Sequence, residues 1–224
     1  MQKKIIIACS KRWFFKNIHL LKIKKENLVI INEKRKLNIN KLKKINPRII
    51  FFPHWSYKIK NSILKKFNCI GFHSAPLPFG RGGSPIQNLI LKKFKITPVC
   101  AIKITNEVDA GPIYLKRNIS LSGNLDEIFD RISLRIVEMI KIIINKNISP
   151  KKQTGKIIIF KRLKKNNSEI IGNENINFIY DKIRMLSNSE YPNAYIKKHG
   201  YKIYLTESIL KKKIIYCKAK IVKK

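Results

Sequence analysis

The chain has 224 residues, 44% of them hydrophobic, and carries 49 Lys and Arg against 13 Asp and Glu, a formal charge of +36. That length and apolar content suit one domain with a small appendage, and 9 Gly and 9 Pro exclude a collagen-like or Pro/Gly-rich disordered chain. No apolar run approaches the roughly 18 residues of a membrane span, and the stretch after Met1-Gln2-Lys3-Lys4 stops at Ser10-Lys11-Arg12, too short for a signal-peptide core, so a cytoplasmic protein with no membrane partner is expected.

Short β-branched runs alternate with basic amphipathic stretches. Lys4–Cys9, Asn27–Asn32, Arg48–Phe52 and Asn68–His73 read as strands, three of them nearly continuous apolar runs of the kind that parallel strands covered on both faces require. Ile39–Ile45 and Ser62–Phe67 read as short helices between them. This alternation predicts an α/β fold, a doubly wound, mostly parallel sheet. Ser84 reads as the cap of a helix with Pro85 at its first position. Pro98–Thr105 and Ile113–Leu121 read as further strands. Asn124, with Glu127 three residues on, starts a long helix whose stripe is Leu125, Ile128, Phe129, Ile132, Ile136, Met139, Ile140 and Ile143. After Ser149-Pro150 the texture turns Lys- and Asn-rich. A small C-terminal α+β module over 151–224 is expected to follow a catalytic domain over 1–150, with strands at Ile157–Phe160, Tyr201–Leu205 and Ile214–Ile221 and a helix at Phe178–Leu186.

The charge has two readings. Lys, Ile and Asn supply 104 of the 224 residues, as A/T-rich codon bias would produce, and only 9 of the 49 basic residues are the Arg that RNA binders favour. The charge is also uneven: residues 1–66 carry +17 and 151–224 carry +14, but 67–115 only +3 and 116–150 only +2. Chemistry is therefore sought in the near-neutral middle. Cys9, Cys69, Cys100 and Cys217 are far apart and make no metal-ligand spacing, so neither a metal site nor a disulfide framework is expected.

The informative segment runs from Phe72 to Asn88. A strand ends at His73, a loop with Pro76, Pro78, Gly80, Gly82 and Gly83 follows, and a helix begins near Ser84. Open α/β sheets bind ligands at the carboxyl ends of their strands, which is where this imidazole falls. The glycines let backbone approach a ligand closely. The spacing is neither that of a Walker loop nor that of a dinucleotide fingerprint. On its own, a histidine at a strand end is more often structural.

These residues resemble the folate-dependent formyltransferases, a family that includes methionyl-tRNA, glycinamide-ribonucleotide and nucleotide-sugar formyltransferases. The resemblance is carried by His73, Leu77-Pro78, Arg81-Gly82, Pro85-Ile86-Gln87 and Val108-Asp109-Ala110-Gly111-Pro112-Ile113, and extends to Phe52-Pro53-His54-Trp55-Ser56, Phe160-Lys161-Arg162, Ile183-Arg184 and Tyr191–Tyr195. It implies 10-formyltetrahydrofolate as donor, with His73 and Asp109 catalytic. It also implies that His54, Trp55, Glu107 and Val108 hold the folate, and that Pro78, Gly80, Arg81, Gly82 and Asn88 meet the acceptor. In that chemistry an imidazole handles the amine proton near neutral pH, and a carboxylate orients the ring and favours the form that can hydrogen-bond a developing oxyanion.

One position departs from the family. Two residues before the histidine the family has an Asn, and here stands Gly71. Asn88, Asn106 or Ser74 replaces that donor, or His and Asp act alone, or activity is lost. The acceptor is read as a small amine, above all an amino group on a nucleotide-linked sugar. Initiator tRNA is the alternative partner, since the C-terminal charge suits an RNA backbone, and an inactive basic nucleic-acid-binding homologue is a further one. The sequence is silent on oligomeric state.

Overall fold

The protein is described by a computed structural model over residues 4–223. Met1, Gln2 and Lys3, which open the stretch compared above with a signal peptide, lie outside the described residues, as does Lys224. In chain order come β1 (Ile5–Cys9), α1 (Arg12–Phe15), β2 (Leu28–Ile31), α2 (Ile39–Ile45), β3 (Ile49–His54), α3 (Asn61–Lys66), β4 (Cys69–His73), β5 (Phe79–Gly82), α4 (Pro85–Leu91), β6 (Ile96–Lys103), β7 (Ile113–Ser120) and α5 (Leu125–Asn145). Then come β8 (Ile158–Phe160), α6 (Ile176–Arg184), β9 (Ala194–Lys198), β10 (Tyr201–Lys211) and β11 (Ile214–Lys223).

The central sheet has six strands in the order β2-β1-β3-β4-β6-β7. The first four pair in parallel, while β6 joins β4 and β7 joins β6 antiparallel. The continuous apolar runs follow from burial on both faces. Ile5, Ile7, Ile49, Phe51 and Ile70 pack with the stripe of α5, whereas Ile6, Ala8, Ile31, Ile50 and Phe52 pack with Leu42 of α2 and Ile63 of α3. Successive side chains alternate between faces, so a strand sandwiched between helix layers must be apolar at every position.

Helix starts follow local chemistry. Asn38 and Asn175 accept from the backbone N–H of Lys41 and Phe178, capping α2 and α6. The Glu127 carboxylate accepts from Asn124 N–H at 2.7 Å. Ser84 stands at the N-cap of α4 with Pro85 first in the helix, but its side chain does not cap: the residue lies at φ +51°, and its hydroxyl accepts from Leu163 N–H at 3.1 Å.

Three strands differ from the sequence expectation. Phe79–Gly82, read as loop, is β5, because β8 far down the chain pairs with it. β9 was hidden within a segment noticed for its motif, and β10 continues to Lys211 past an irregularity at Thr206–Ile209. Strands β9–β11 form an antiparallel sheet that packs on α6. Arg184 of α6 is buried, pairs with Asp181 at 2.7 Å and donates to the carbonyls of Leu121 and Gly123 at the start of α5.

No helix among the described residues is long and apolar enough to cross a membrane. The four cysteines are free, and burial pushes the thiols of Cys9 and Cys100 up to about 11 and that of Cys69 to about 12. No group of three or more His, Cys, Asp and Glu gathers among the described residues.

Candidate active site

His73 ends β4 at the carboxyl edge of the sheet and is 7% exposed. Asp109 comes from the turn between β6 and β7. Its Oδ2 lies 3.4 Å from His73 Nδ1 and accepts from Gly82 N–H at 3.0 Å. The other ring nitrogen, Nε2, lies 2.7 Å from the carbonyl of Gly80. Both imidazole nitrogens therefore face acceptors, and the ring's orientation is fixed from two sides.

The glycines of β5 make this possible. Gly80 and Gly82 sit at φ +86° and +99°, where an L side chain is strained. That geometry turns one carbonyl to the histidine and one N–H to the aspartate.

Asp109 itself is left-handed, at φ +52°, a conformation that Asp tolerates better than most residues. It is held there by Gln153, whose Nε2 donates to the carbonyls of Asp109 (2.7 Å) and Gly111 (2.8 Å). Gln153 Oε1 accepts in turn from Nε and Nη2 of the buried Arg81, at 3.1 and 3.0 Å. The remaining arm of Arg81 meets Glu107 at 3.0 Å. Gln153 has no motif around it and was missed by sequence reasoning. It lies just beyond Pro150, so the site takes residues from both sides of that point.

The structure brings His73, Gly80, Arg81, Gly82, Glu107 and Asp109 together. Asn88, His54 and Trp55 make their contacts away from this cluster. Val108 is 69% exposed. Asn88 spends its amide on the carbonyls of Gly83, Ser84 and Lys161, which clamps the start of α4. Asn88 is thus not free as a donor at His73, and Asn106 is exposed.

At Gly71, an added Cβ would stand 3.1 Å from Ile104 Cγ1 and 3.2 Å from its Cδ1. An isoleucine thus occupies the space where the family's amide would point. Gly71→Asn alone should destabilise the protein by about 1–3 kcal/mol through overpacking, read as a lower urea midpoint. Gly71→Asn with Ile104→Ala should recover most of that loss.

His54 and Trp55 are adjacent but line different cavities. His54 borders one of about 240 Å³ with Lys11, Gln87, Arg162, Glu190 and Tyr191, and its ring meets Trp13 edge-on at 5.9 Å. Trp55 borders one of about 600 Å³ beyond the ends of β2 and β3. Burial first, then the Lys11 charge, pulls the His54 imidazole down to about 4, with Glu190 opposing. The unfolded ring titrates near 6.5, so between those values the unfolded state binds more protons. Stability should fall as the pH drops from about 6.5 to 4, by at most roughly 3 kcal/mol for this half-buried ring, and then level off. His54→Phe should flatten that slope in urea titrations at pH 7 and 4.5.

An oriented imidazole–carboxylate pair at the carboxyl edge of a doubly wound sheet has the geometry of an acid–base site, and the relatives of this chain are group-transfer enzymes. A solved structure of methionyl-tRNA formyltransferase from Clostridium thermocellum is 40% identical, matches over 100% of both chains and superposes with a TM-score of 0.95. The chain belongs to the formyltransferase family. The family model for the methionyl-tRNA formyltransferase C-terminal domain matches residues 165–222. Methionyl-tRNA formyltransferase of Thermodesulfovibrio yellowstonii is 33% identical over 179 residues, 75% of this chain but 58% of that relative. A sugar N-formyltransferase from Shewanella shares the fold at a TM-score of 0.71 with 17% identity.

Proposed function

We propose that this protein transfers a formyl group from 10-formyltetrahydrofolate to a primary amine, and that the amine is the α-amino group of methionyl-tRNA. The observation that carries the reading is the His73–Asp109 pair, 3.4 Å apart and braced by Gly80 and Gly82. When bound, the donor supplies the formyl carbon. Nε2 of His73 donates to the Gly80 carbonyl, so Nδ1, on the Asp109 side, takes the proton of the amine as it bonds to the formyl carbon. It passes that proton to the folate nitrogen from which the carbon departs, with Asp109 balancing the charge. His73, Glu107, Val108, Asp109 and Trp55 flank the donor. Trp55 suits a ligand there, because its indole N–H is buried without an acceptor among the described residues. Gly80, Arg81, Gly82, Pro78 and Asn88 shape the loop that the acceptor meets, with Gln153 as a positioning residue.

The acceptor is a revision of the sequence reading, which put a nucleotide-linked amino sugar first. Methionyl-tRNA is favoured by the 40% identity over the full chain and by the match at 165–222, whereas the sugar enzyme shares the fold alone. The basic C-terminal segment suits a phosphate backbone. The 240 Å³ cavity has Arg162 and Lys164 on its walls as cations for an anionic acceptor, while its Lys11 is paired with Glu190 at 3.3 Å.

The test is formyl transfer from 10-formyltetrahydrofolate to charged initiator tRNA or to a nucleotide amino sugar. Product on the tRNA alone supports the reading, and product on the sugar alone replaces it. RNA binding with steep salt dependence and no product from either would overturn catalysis itself.

A further inference from the structure

The smaller cavity, of about 240 Å³, takes no part in holding His73 or Asp109. It nevertheless lies close to them. His54 ends β3 as His73 ends β4, and the two strands pair directly, so their backbones run about 4.8 Å apart. Most of the polar groups on its wall already have partners. The Gln87 amide donates to the Met185 carbonyl at 3.2 Å, and the Ser84 hydroxyl accepts from Leu163 N–H. Glu190, the one acid in the lining, is held by Lys11 at 3.3 Å and accepts from the Arg12 N–H at 3.0 Å. Arg162 and Lys164 are exposed and meet no carboxylate among the described residues.

Two neutral groups are left over. Neither the imidazole of His54 nor the hydroxyl of Tyr191 has a hydrogen-bond partner among the described residues. Burial, then the Lys11 charge, pulls the imidazole down to about 4, and burial, with Glu190 beside it, pushes the phenol up to about 12. Near neutral pH both are uncharged, and each can donate and accept. Their rings are fixed: His54 meets Trp13 edge-on at 5.9 Å, and Tyr191 leans on Phe129 at 5.4 Å. Buried polar groups in folded proteins nearly always have a partner, so this pair is placed for one that a ligand brings. Uncharged groups that both donate and accept match a hydroxyl, and the two cations match a phosphate.

A hydroxyl and a phosphate on one small body are the chemistry of a ribose phosphate. We propose that this cavity receives the ribose at the 3′ end of the acceptor RNA, and that His54, with Tyr191, recognises its 2′-hydroxyl while Arg162 and Lys164 hold its phosphate. The inference rests on the acceptor reading above. In an aminoacyl ester the 2′-hydroxyl sits on the carbon next to the esterified one, only a few covalent bonds from the amine. That spacing fits a cavity beside the strand that carries His73. It makes His54 a specificity determinant on the acceptor side, whereas the family resemblance gave this residue to the folate.

Initiator tRNA ending in adenosine or in 2′-deoxyadenosine, methionylated chemically on the 3′ oxygen, tests this at neutral pH. The wild-type protein should formylate the ribose form with a kcat/KM roughly tenfold above that of the deoxy form, the scale of one lost hydrogen bond. In His54→Phe the ratio should approach one, because the ribose form slows and the deoxy form hardly changes. Tyr191→Phe, which removes a single hydroxyl and keeps the ring against Phe129, should lower the ratio as well. A packing role would slow both substrates together and leave the ratio intact. No discrimination in the wild type, or a ratio unchanged in the variants, overturns the assignment and leaves the acceptor reading standing. No product from either tRNA overturns the acceptor reading, and this inference with it.

Discussion

Replacing His73 with alanine should lower kcat by roughly 10²–10⁴-fold, the range typical of a positioned acid–base group, with far-UV circular dichroism unchanged. The imidazole is nearly buried, its Nε2 lies 2.7 Å from the Gly80 carbonyl and its Nδ1 faces Asp109. Removing it therefore leaves the sheet intact but strands the proton-handling step. His73→Gln serves as the companion, because it keeps a donor for the Gly80 carbonyl while removing the titrating group. It should be nearly as slow and more stable than the alanine variant.

Asp109→Asn should reduce kcat on a similar scale. The amide oxygen can still accept from Gly82 N–H, but the charge opposite the ring is gone. Since the two residues act as one unit, the double variant should be scarcely slower than either single one. Wild-type turnover in any single variant, or losses that simply add in the double, would remove the pair from the mechanism.

Gly111→Ala is expected to have the other large effect, and by a purely steric route. A Cβ at this position would stand 1.7 Å from the carbonyl oxygen of Lys103 and 2.8 Å from its carbon. Those are backbone atoms of β6, tied to the same turn by the bond from Lys103 N–H to the Pro112 carbonyl at 2.9 Å. No rotamer relieves such a clash, so the turn must move. Gln153 then loses the Gly111 carbonyl, and Asp109, two residues upstream, is no longer held at its left-handed φ. Overpacking of about 1–3 kcal/mol corresponds in a chain of this size to a Tm lower by roughly 2–12 °C. The activity loss should match that of Asp109→Asn even at temperatures where the variant is folded. A variant with normal Tm and normal kcat would show that the turn tolerates displacement, and that Asp109 is not positioned by it.

Several features were set by the linear order of residues. The apolar runs ending at Cys9, Phe52 and His73 determined that buried parallel strands would form, because a strand covered on both faces has no polar positions to spare. The spacing of apolar residues from Leu125 to Ile143 determined the long helix and its buried stripe. The resemblance carried by the motif from His73 to Gln87, with Asp109 and Gly111 further on, named His73 and Asp109 as the candidate pair.

Other features depended on segments that meet only in three dimensions. β5 is a strand because β8, some 75 residues later, supplies its hydrogen bonds. Gln153 becomes a brace because the chain returns past Pro150 to the β6–β7 turn. The packing of Ile104 over Gly71 shows why an asparagine is not accommodated there. His54 and Trp55, neighbours in sequence, part company at the end of β3 and line separate cavities. Local propensity and periodicity reach only as far as one element, whereas contact across the fold is a property of how elements pack. The strands and helices were therefore legible one at a time, and the site's supporting contacts were not.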